Sequence, residues 1–239
     1  MVSALLFDLD QTLLYSEDFP ASITRTCKAL ASKGAGLDPE AVAHANARIW
    51  EEFGTLQMDD WMLGKVSGKD LNVELWRRTL AACGCYDESL VEFASNTHIP
   101  LTWEEYRLFD DVHAVVEVAK ANDIPMALVT NGAADTQREK LRAVGIESWF
   151  HAFSISGEHG LAKPEPLVFH RVLASLGVEG KSAWHVGDSL PQDVGGAMAA
   201  GITSVWLNRH GHRPGEDDPI PDLEIASLHE LIPLIDEVG

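Results

Sequence analysis

The stretch Leu5-Leu6-Phe7-Asp8-Leu9-Asp10-Gln11-Thr12-Leu13 constrains this chain more than any other. A short apolar run of this kind makes a strand buried on both faces, the type found in parallel sheets. The run ends in two carboxylates at i and i+2, and such residues of a strand point to the same side. Asp8 and Asp10 are therefore expected to converge where strand gives way to loop. Buried like charges at that spacing repel, and one pKa rises unless a cation lies between them. An oxygen-only cluster of this type suits Mg²⁺. A strand followed by an Asp-rich turn fits the same residues, and segments further along the chain decide between the two readings.

After Thr12 the pattern changes. Residues 15–105 contain no buried-strand signal and read as helices in series. One runs from Phe19 to Lys33 and ends at Gly34. Asp38-Pro39-Glu40 is an N-cap followed by proline at the first helical position, opening a helix that reaches about Phe53. Leu71 to Ala82 stops at Gly84, and Asp87 to Thr97 has Pro100 beyond it. Trp50, Trp61, Trp76 and Trp103 are expected to serve as core or inter-domain packing rather than as a cofactor box. From about Leu108 strand and helix alternate, which signals a parallel sheet with right-handed crossovers. The expected strands are Met126–Val129, Phe153–Ile155, Ala183–Val186, Thr203–Leu207 and Asp222–Ile225. The helices between them are Val112–Asn122, Asp135–Val144, Pro166–Leu176 and Asp193–Ala200, with another from Leu228. The fold class is thus α/β, a Rossmann-like parallel sheet core with an inserted all-helical domain. The expected boundaries are 1–15 and 106–239 for the core and 16–105 for the insert.

Composition narrows the partners. The chain has 239 residues, 46% of them hydrophobic, enough for a core of its own. Its 18 Lys and Arg against 37 Asp and Glu give a net charge of -19. Such a chain repels nucleic-acid phosphates and anionic lipid, so neither is an expected partner. Any phosphate it binds has to meet local positive charge. The first apolar run reaches only Phe7 before a charge, too short for a signal peptide or a membrane span. Cys27, Cys83 and Cys85 are odd in number and lack a second pair to complete a metal site, so they read as reduced packing residues of a cytoplasmic protein. Oligomeric state, monomer or homodimer, is left open.

In an open α/β sheet, ligands bind beyond the carboxyl ends of the strands. Four such ends carry polar residues able to converge: Asp8, Asp10 and Thr12; Thr130 and Asn131; Lys163 before a helix; and Asp188 with Asp193. Two carboxylates plus Asp188 make an oxygen cage for Mg²⁺ with room left for water and a phosphate. Thr130 offers a hydroxyl with backbone N–H groups nearby, and Lys163 a cation to offset phosphate charge. Each of these alone is an ordinary turn or a solvated side chain; their occurrence in order is what carries the reading. His210 and His212 lie in a loop rich in Gly, Pro, His and Asp and are expected to be exposed rather than metal-bound.

The chain also resembles a known family. Phe7-Asp8-Leu9-Asp10-Gln11-Thr12, Val129-Thr130-Asn131-Gly132, Lys163-Pro164-Glu165-Pro166-Leu167-Val168-Phe169 and Gly187-Asp188-Ser189-Leu190-Pro191-Gln192-Asp193 look like the four signature motifs of the haloacid dehalogenase (HAD) superfamily. The helical insert falls where that superfamily places its small cap. The resemblance implies a phosphatase in which Asp8 is the nucleophile and Asp10 the general acid/base. It implies that Thr130 and Lys163 stabilise the nucleophile and the transferring phosphoryl group. Thr12, Asn131 and Gly132 would contact substrate. Mg²⁺ would be held by Asp8, Asp188 and the Asp10 backbone carbonyl, with Asp193 behind them positioning Lys163 or a metal-bound water. The implied substrate is a small phosphomonoester such as a sugar phosphate or nucleotide. Most members have glycine where this chain has Gln11. Residues Thr130 to Gly132, Thr136 to Lys140 and Trp206 to Asn208 are further similar to N-acylneuraminate-9-phosphatases and pyrimidine 5′-nucleotidases. A 2-haloacid dehalogenase, a sugar phosphomutase and a ligand-binding protein without catalysis remain as alternatives on the same scaffold.

Overall fold

The computed structural model describes residues 2–16, 19–33 and 36–236. In chain order the elements are β1 (Ala4–Phe7), β2 (Leu14–Ser16), α1 (Phe19–Ser32), α2 (Pro39–Ile49), α3 (Met58–Met62), α4 (Gly68–Ala82), α5 (Glu88–Trp103) and β3 (Tyr106–Leu108). There follow α6 (Val112–Ala121), β4 (Met126–Thr130), α7 (Ala134–Ala143), β5 (Ala152–Ile155), α8 (Ser156–His159) and α9 (Pro166–Leu176). The chain closes with β6 (Ala183–Gly187), α10 (Gly195–Ala199), β7 (Thr203–Leu207), β8 (Leu223–Ile225) and α11 (Leu231–Asp236). Two compact units result: residues 2–15, 108–131 and 145–236 form one, and residues 16, 19–33, 36–107 and 132–144 the other.

The first unit is a six-stranded parallel sheet in the order β5-β4-β1-β6-β7-β8. Its first strand is therefore interior, and all four of its residues are fully buried. That is why the sequence shows a continuous apolar run there instead of alternation. Ala4 and Leu6 point into one core with Val129, Phe169, Val172 and Ala197, bringing α9 and α10 against that face. In register, Phe7 lies beside Leu128 on one side and Val186 on the other. The carboxyl ends of β4, β1 and β6 thus lie side by side, and the chain runs outward from β1 in both directions, the arrangement that leaves a crevice beyond the strand ends.

The second unit is helical. Its core gathers Cys27, Leu30, Val42, Trp76, Leu80 and Val91. Asp38 caps α2 as expected, accepting from Glu40 N at 3.2 Å. The cysteines are free, Cys83 forming the C-cap of α4. Segment 132–144, read from sequence as part of the sheet region, groups with the helices because Asp135 caps α4. Its two carboxylate oxygens accept from Gly68 N at 2.9 Å and Lys69 N at 3.0 Å.

Several helix limits differ from the expected ones. The N-cap Ser67 starts α4 three residues earlier, at Gly68. α5 runs through Pro100 to Trp103, with His98 and Thr102 buried on its inner face. Packing there outweighs the hydrogen bond lost at proline. The helix after Asp38 gives way at Trp50–Gly54 to a π-helical turn, the form associated with bulges at functional sites. A Cβ at Gly54 would overlap the Trp50 ring. The expected end of the first helix at Gly34 lies outside the described residues. Trp76 is buried, but Trp50 and Trp103 are 43% and 36% exposed and are not core residues. Among the described residues no helix is long and apolar enough to cross a membrane.

Candidate active site in the sheet unit

Lys163 is the hub of the site. It is 4% exposed, and its ammonium Nζ donates to Asp8 Oδ1 at 2.6 Å and to Asp193 Oδ1 at 2.6 Å. Burial alone would lower its pKa, but Asp193 and Asp8 together outweigh that and hold it above the usual lysine value, so it is a fixed positive charge. Its backbone is clamped as well. Lys163 N donates to Asn131 Oδ1 at 2.8 Å, and Asn131 Nδ2 donates to Lys163 O at 3.1 Å. Asn131 Nδ2 also reaches Gln192 Oε1 at 3.2 Å. The side chain of Asn131, expected at the substrate, is thus turned to Lys163 and Gln192.

Asp193 is buried and accepts three hydrogen bonds: from Lys163 Nζ, from His185 Nε2 at 2.9 Å and from Ser189 N at 3.0 Å. Burial pushes its carboxyl up, and Lys163 and His185 outweigh burial to hold it below the usual range. An ionised carboxylate only accepts, so the proton of His185 lies on Nε2. Burial keeps that imidazole neutral by lowering its pKa. Gly187 explains its own place in the motif: a Cβ there would overlap the Asp193 carboxyl, which folds back over the end of β6.

Asp8 follows β1 directly, and its N–H donates to Val186 O at 3.0 Å. Burial raises its pKa, Lys163 opposes the rise, and Asp193 and then Asp10 add to it. Asp188, partly exposed at the end of β6, is pushed up to about 6, first by burial and then by Asp193. Carboxylate oxygens of Asp8, Asp188 and Asp193 all lie within 4.8 Å of one another. Three carboxylates against one ammonium leave negative charge uncompensated, and an all-oxygen set of this kind fits a hard divalent cation. Asp193 already accepts from three donors, Asp8 from Lys163 Nζ. Asp10, partly buried, is outside the carboxylate cluster.

Thr130 is the last residue of β4 and is buried. Thr12 is fully buried, its Oγ1 has no hydrogen-bond partner, and its carbonyl accepts from Arg209 Nη2 at 3.0 Å. Arg209 in turn grips Asp111 through Nη1 at 2.8 Å and Nη2 at 2.9 Å. Gly132 belongs to the helical unit, and a Cβ there would stand 2.7 Å from Trp61. Gln11 has φ 61°, a left-handed backbone that glycine adopts freely and glutamine at a cost of about 1–2 kcal/mol. His210 and His212 are exposed, their rings 5.7 Å apart. Sequence reasoning missed His185, Gln192 and Arg209. Only the two-residue offset of His185 from Gly187 in an apolar strand marked it, and a lone histidine there carries no signal of its own.

The haloacid dehalogenase-like hydrolase family profile matches residues 2–201. The chain is 32% identical to a phosphoserine phosphatase of Thermus thermophilus, over 95% of this chain and 96% of that one. It is 36% identical to the mouse N-acylneuraminate-9-phosphatase over 55% of this chain and 53% of that protein. Among solved structures, a 2-haloacid dehalogenase from Pseudomonas syringae superposes with a TM-score of 0.69 at 22% identity, each chain covered completely, a likeness of fold.

Proposed function

The chain belongs to the haloacid dehalogenase-like hydrolase family, and on that premise we propose that it is a Mg²⁺-dependent phosphatase hydrolysing a small phosphomonoester. The relatives named as phosphatases support a hydrolase acting on phosphoric monoesters. The observation that carries the reading is the buried ammonium of Lys163, bonded at 2.6 Å to Asp8 and held from behind by Asp193. It marks Asp8 as the carboxylate whose charge is managed.

Asp8 attacks phosphorus in line and becomes phosphorylated, while Asp10 protonates the leaving oxygen. Asp10 then takes a proton from the water that hydrolyses the phosphoaspartate. Lys163 offsets charge on the equatorial oxygens of the transferring group, and Thr130 donates to the same group. Asp8, Asp188 and the Asp10 carbonyl hold Mg²⁺, which when bound supplies the positive charge that phosphoryl transfer needs. Asp193 keeps Lys163 in place. The helical unit acts as the cap that selects the leaving group. The substrate is a small molecule of the cytoplasm rather than a nucleic acid or a membrane lipid. A dehalogenase on this scaffold needs no metal and lacks an acid at the position of Asp10, which is present here.

A panel of phosphomonoesters assayed with Mg²⁺ and with excess chelator tests the metal, and rapid-quench mass spectrometry of the peptide holding Asp8 and Asp10 tests the roles. Chelation is expected to abolish turnover and Mg²⁺ to restore it, with phosphate found on Asp8. Asp10→Asn is expected to accept phosphate from an aryl phosphate and then stall. Full activity in chelator, or phosphate on Asp10, overturns the reading.

A further inference from the structure

The helical unit contains a cavity of about 580 Å³ that no step of the proposed reaction accounts for. That volume lies within the range of small-molecule sites. Trp50, Trp61, Trp76 and Trp103 contribute to its lining, with Ile23 and Leu75 between them. Two of these indoles, Trp50 and Trp103, are solvent-exposed, and exposed large apolar surface in a concave site marks a place where something binds.

Several polar side chains of the wall bond within the helical unit itself. Asn46 Nδ2 donates to Thr79 Oγ1 at 3.1 Å. Asn72 Nδ2 pairs with His98 Nδ1 at 2.7 Å, and the other ring nitrogen of His98 pairs with Ser22 Oγ at 3.3 Å. The hydroxyls of Thr24 and Thr102 donate back to their own helices, to Pro20 O at 3.1 Å and Ile99 O at 2.7 Å. Asn72 Oδ1 has no partner, but it is sealed from the surface. Polyol hydroxyls turned toward the indole and aliphatic part of the wall would be left unpaired. Burial lowers the pKa of His98 to about 4, so that ring offers no charge to an anion at neutral pH. The charged lining residues, Lys69, Glu139 and Lys140, carry both signs and lie on α7 and the first turn of α4.

We propose that this cavity is a binding site for an uncharged, largely apolar organic body of aryl or fused-ring type. Aromatic walls stack on flat rings at little entropic cost. The π-turn at Trp50–Gly54 supplies the geometry, because Gly54 lets the Trp50 indole lie flat on the backbone at the edge of the cavity. The same chemistry suits the leaving group of a phosphomonoester or a separate small molecule.

The probe is 2-naphthylmethanol, titrated into the full chain by calorimetry and by two-dimensional NMR of the indole N–H groups. Saturable binding is expected, with shifts at Trp50, Trp61, Trp76 and Trp103. Trp149, Trp184 and Trp206, which are not part of the cavity lining, serve as internal references. Ala47 lines the cavity from the exposed side of α2, and Ala47→Trp, which fills it, is expected to weaken binding roughly tenfold or more. A kinetic arm identifies the source. If the body is a leaving group, 2-naphthylmethanol competes with 2-naphthylmethyl phosphate and Ala47→Trp lowers kcat/KM for that ester relative to ethyl phosphate. If it is a separate ligand, binding persists without competition. Absence of saturable binding, shifts spread over the reference indoles, or tighter binding of glucose overturns the proposal. So does a wild-type dimer that Ala47→Trp converts to monomer, which assigns the cavity to a second copy. Failure of every phosphate to turn over with Mg²⁺, while 2-naphthylmethanol still binds, overturns the phosphatase reading and leaves the cavity standing.

Discussion

In the sheet unit, buried charged side chains converge on one point; in the helical unit, buried polar side chains close on each other. Lys163, Asp8 and Asp193 share a single ammonium through two contacts of 2.6 Å, and the carboxylates around them remain in excess. Ser22, Asn72 and His98 form a neutral chain beside a cavity walled largely by indole and aliphatic side chains. The first arrangement is electrostatically incomplete and calls for a cation. The second is neutral along this chain and calls for shape. Buried polar groups therefore do not mark a reactive site by their presence; unbalanced charge does.

The largest effect that sharpens this contrast is expected at Lys163. Lys163→Ala is expected to lower turnover by roughly two orders of magnitude or more, the scale of losing an electrostatic partner of the transition state. Because the change leaves Asp8 and Asp193 facing each other without a counter-charge, stability should also fall by about 3 kcal/mol. Steady-state kinetics and thermal melts with and without Mg²⁺ check this, and near-normal turnover in a folded variant breaks it.

His98 tests the neutral side. Its folded pKa of about 4 lies below the ordinary value of 6.5, so the unfolded chain takes up the proton first as pH falls. The native state is unaffected above about pH 6.5 and loses up to about 3 kcal/mol as pH falls toward 4. His98→Gln is expected to be less acid-sensitive than the parent over that window in urea melts. Identical pH slopes for the two proteins would show that the imidazole is not neutral and buried as described.

The smallest effect is expected at His185, which touches Asp193 and not the reacting atoms. His185→Ala is expected to lower kcat by about tenfold, the scale of one hydrogen bond to a charged group, with KM little changed. His185→Gln, which can still donate, is expected to recover most of that loss. Equal losses in both variants would reduce His185 to a packing residue against Phe169, whose ring lies 4.9 Å away.

The parallel sheet was readable because each strand is a short apolar run ending in polar residues, a local pattern imposed by burial on both faces. The motif residues at β1, β4 and β6 were readable for the same reason: strand ends in this architecture open to ligand. The site's supporting residues were not. Arg209 reaches Asp111 across 98 residues and Asn131 clamps Lys163 across 32, separations at which no local pattern survives. Pro100 looked like a helix stop because the local cost of proline is visible in sequence, whereas the burial of His98 and Thr102 that outweighs it is not. By itself the sequence determined the six strands of the parallel sheet in chain order, the acidic charge and the carboxylates at the strand ends, since these follow from nearest-neighbour chemistry and periodicity. Only the tertiary structure decided that Gln11 takes a left-handed backbone, that segment 132–144 joins the helices through Asp135, and that four tryptophans line a cavity. Those depend on which distant surfaces meet, and contact energy between distant surfaces is not written in any single stretch of chain.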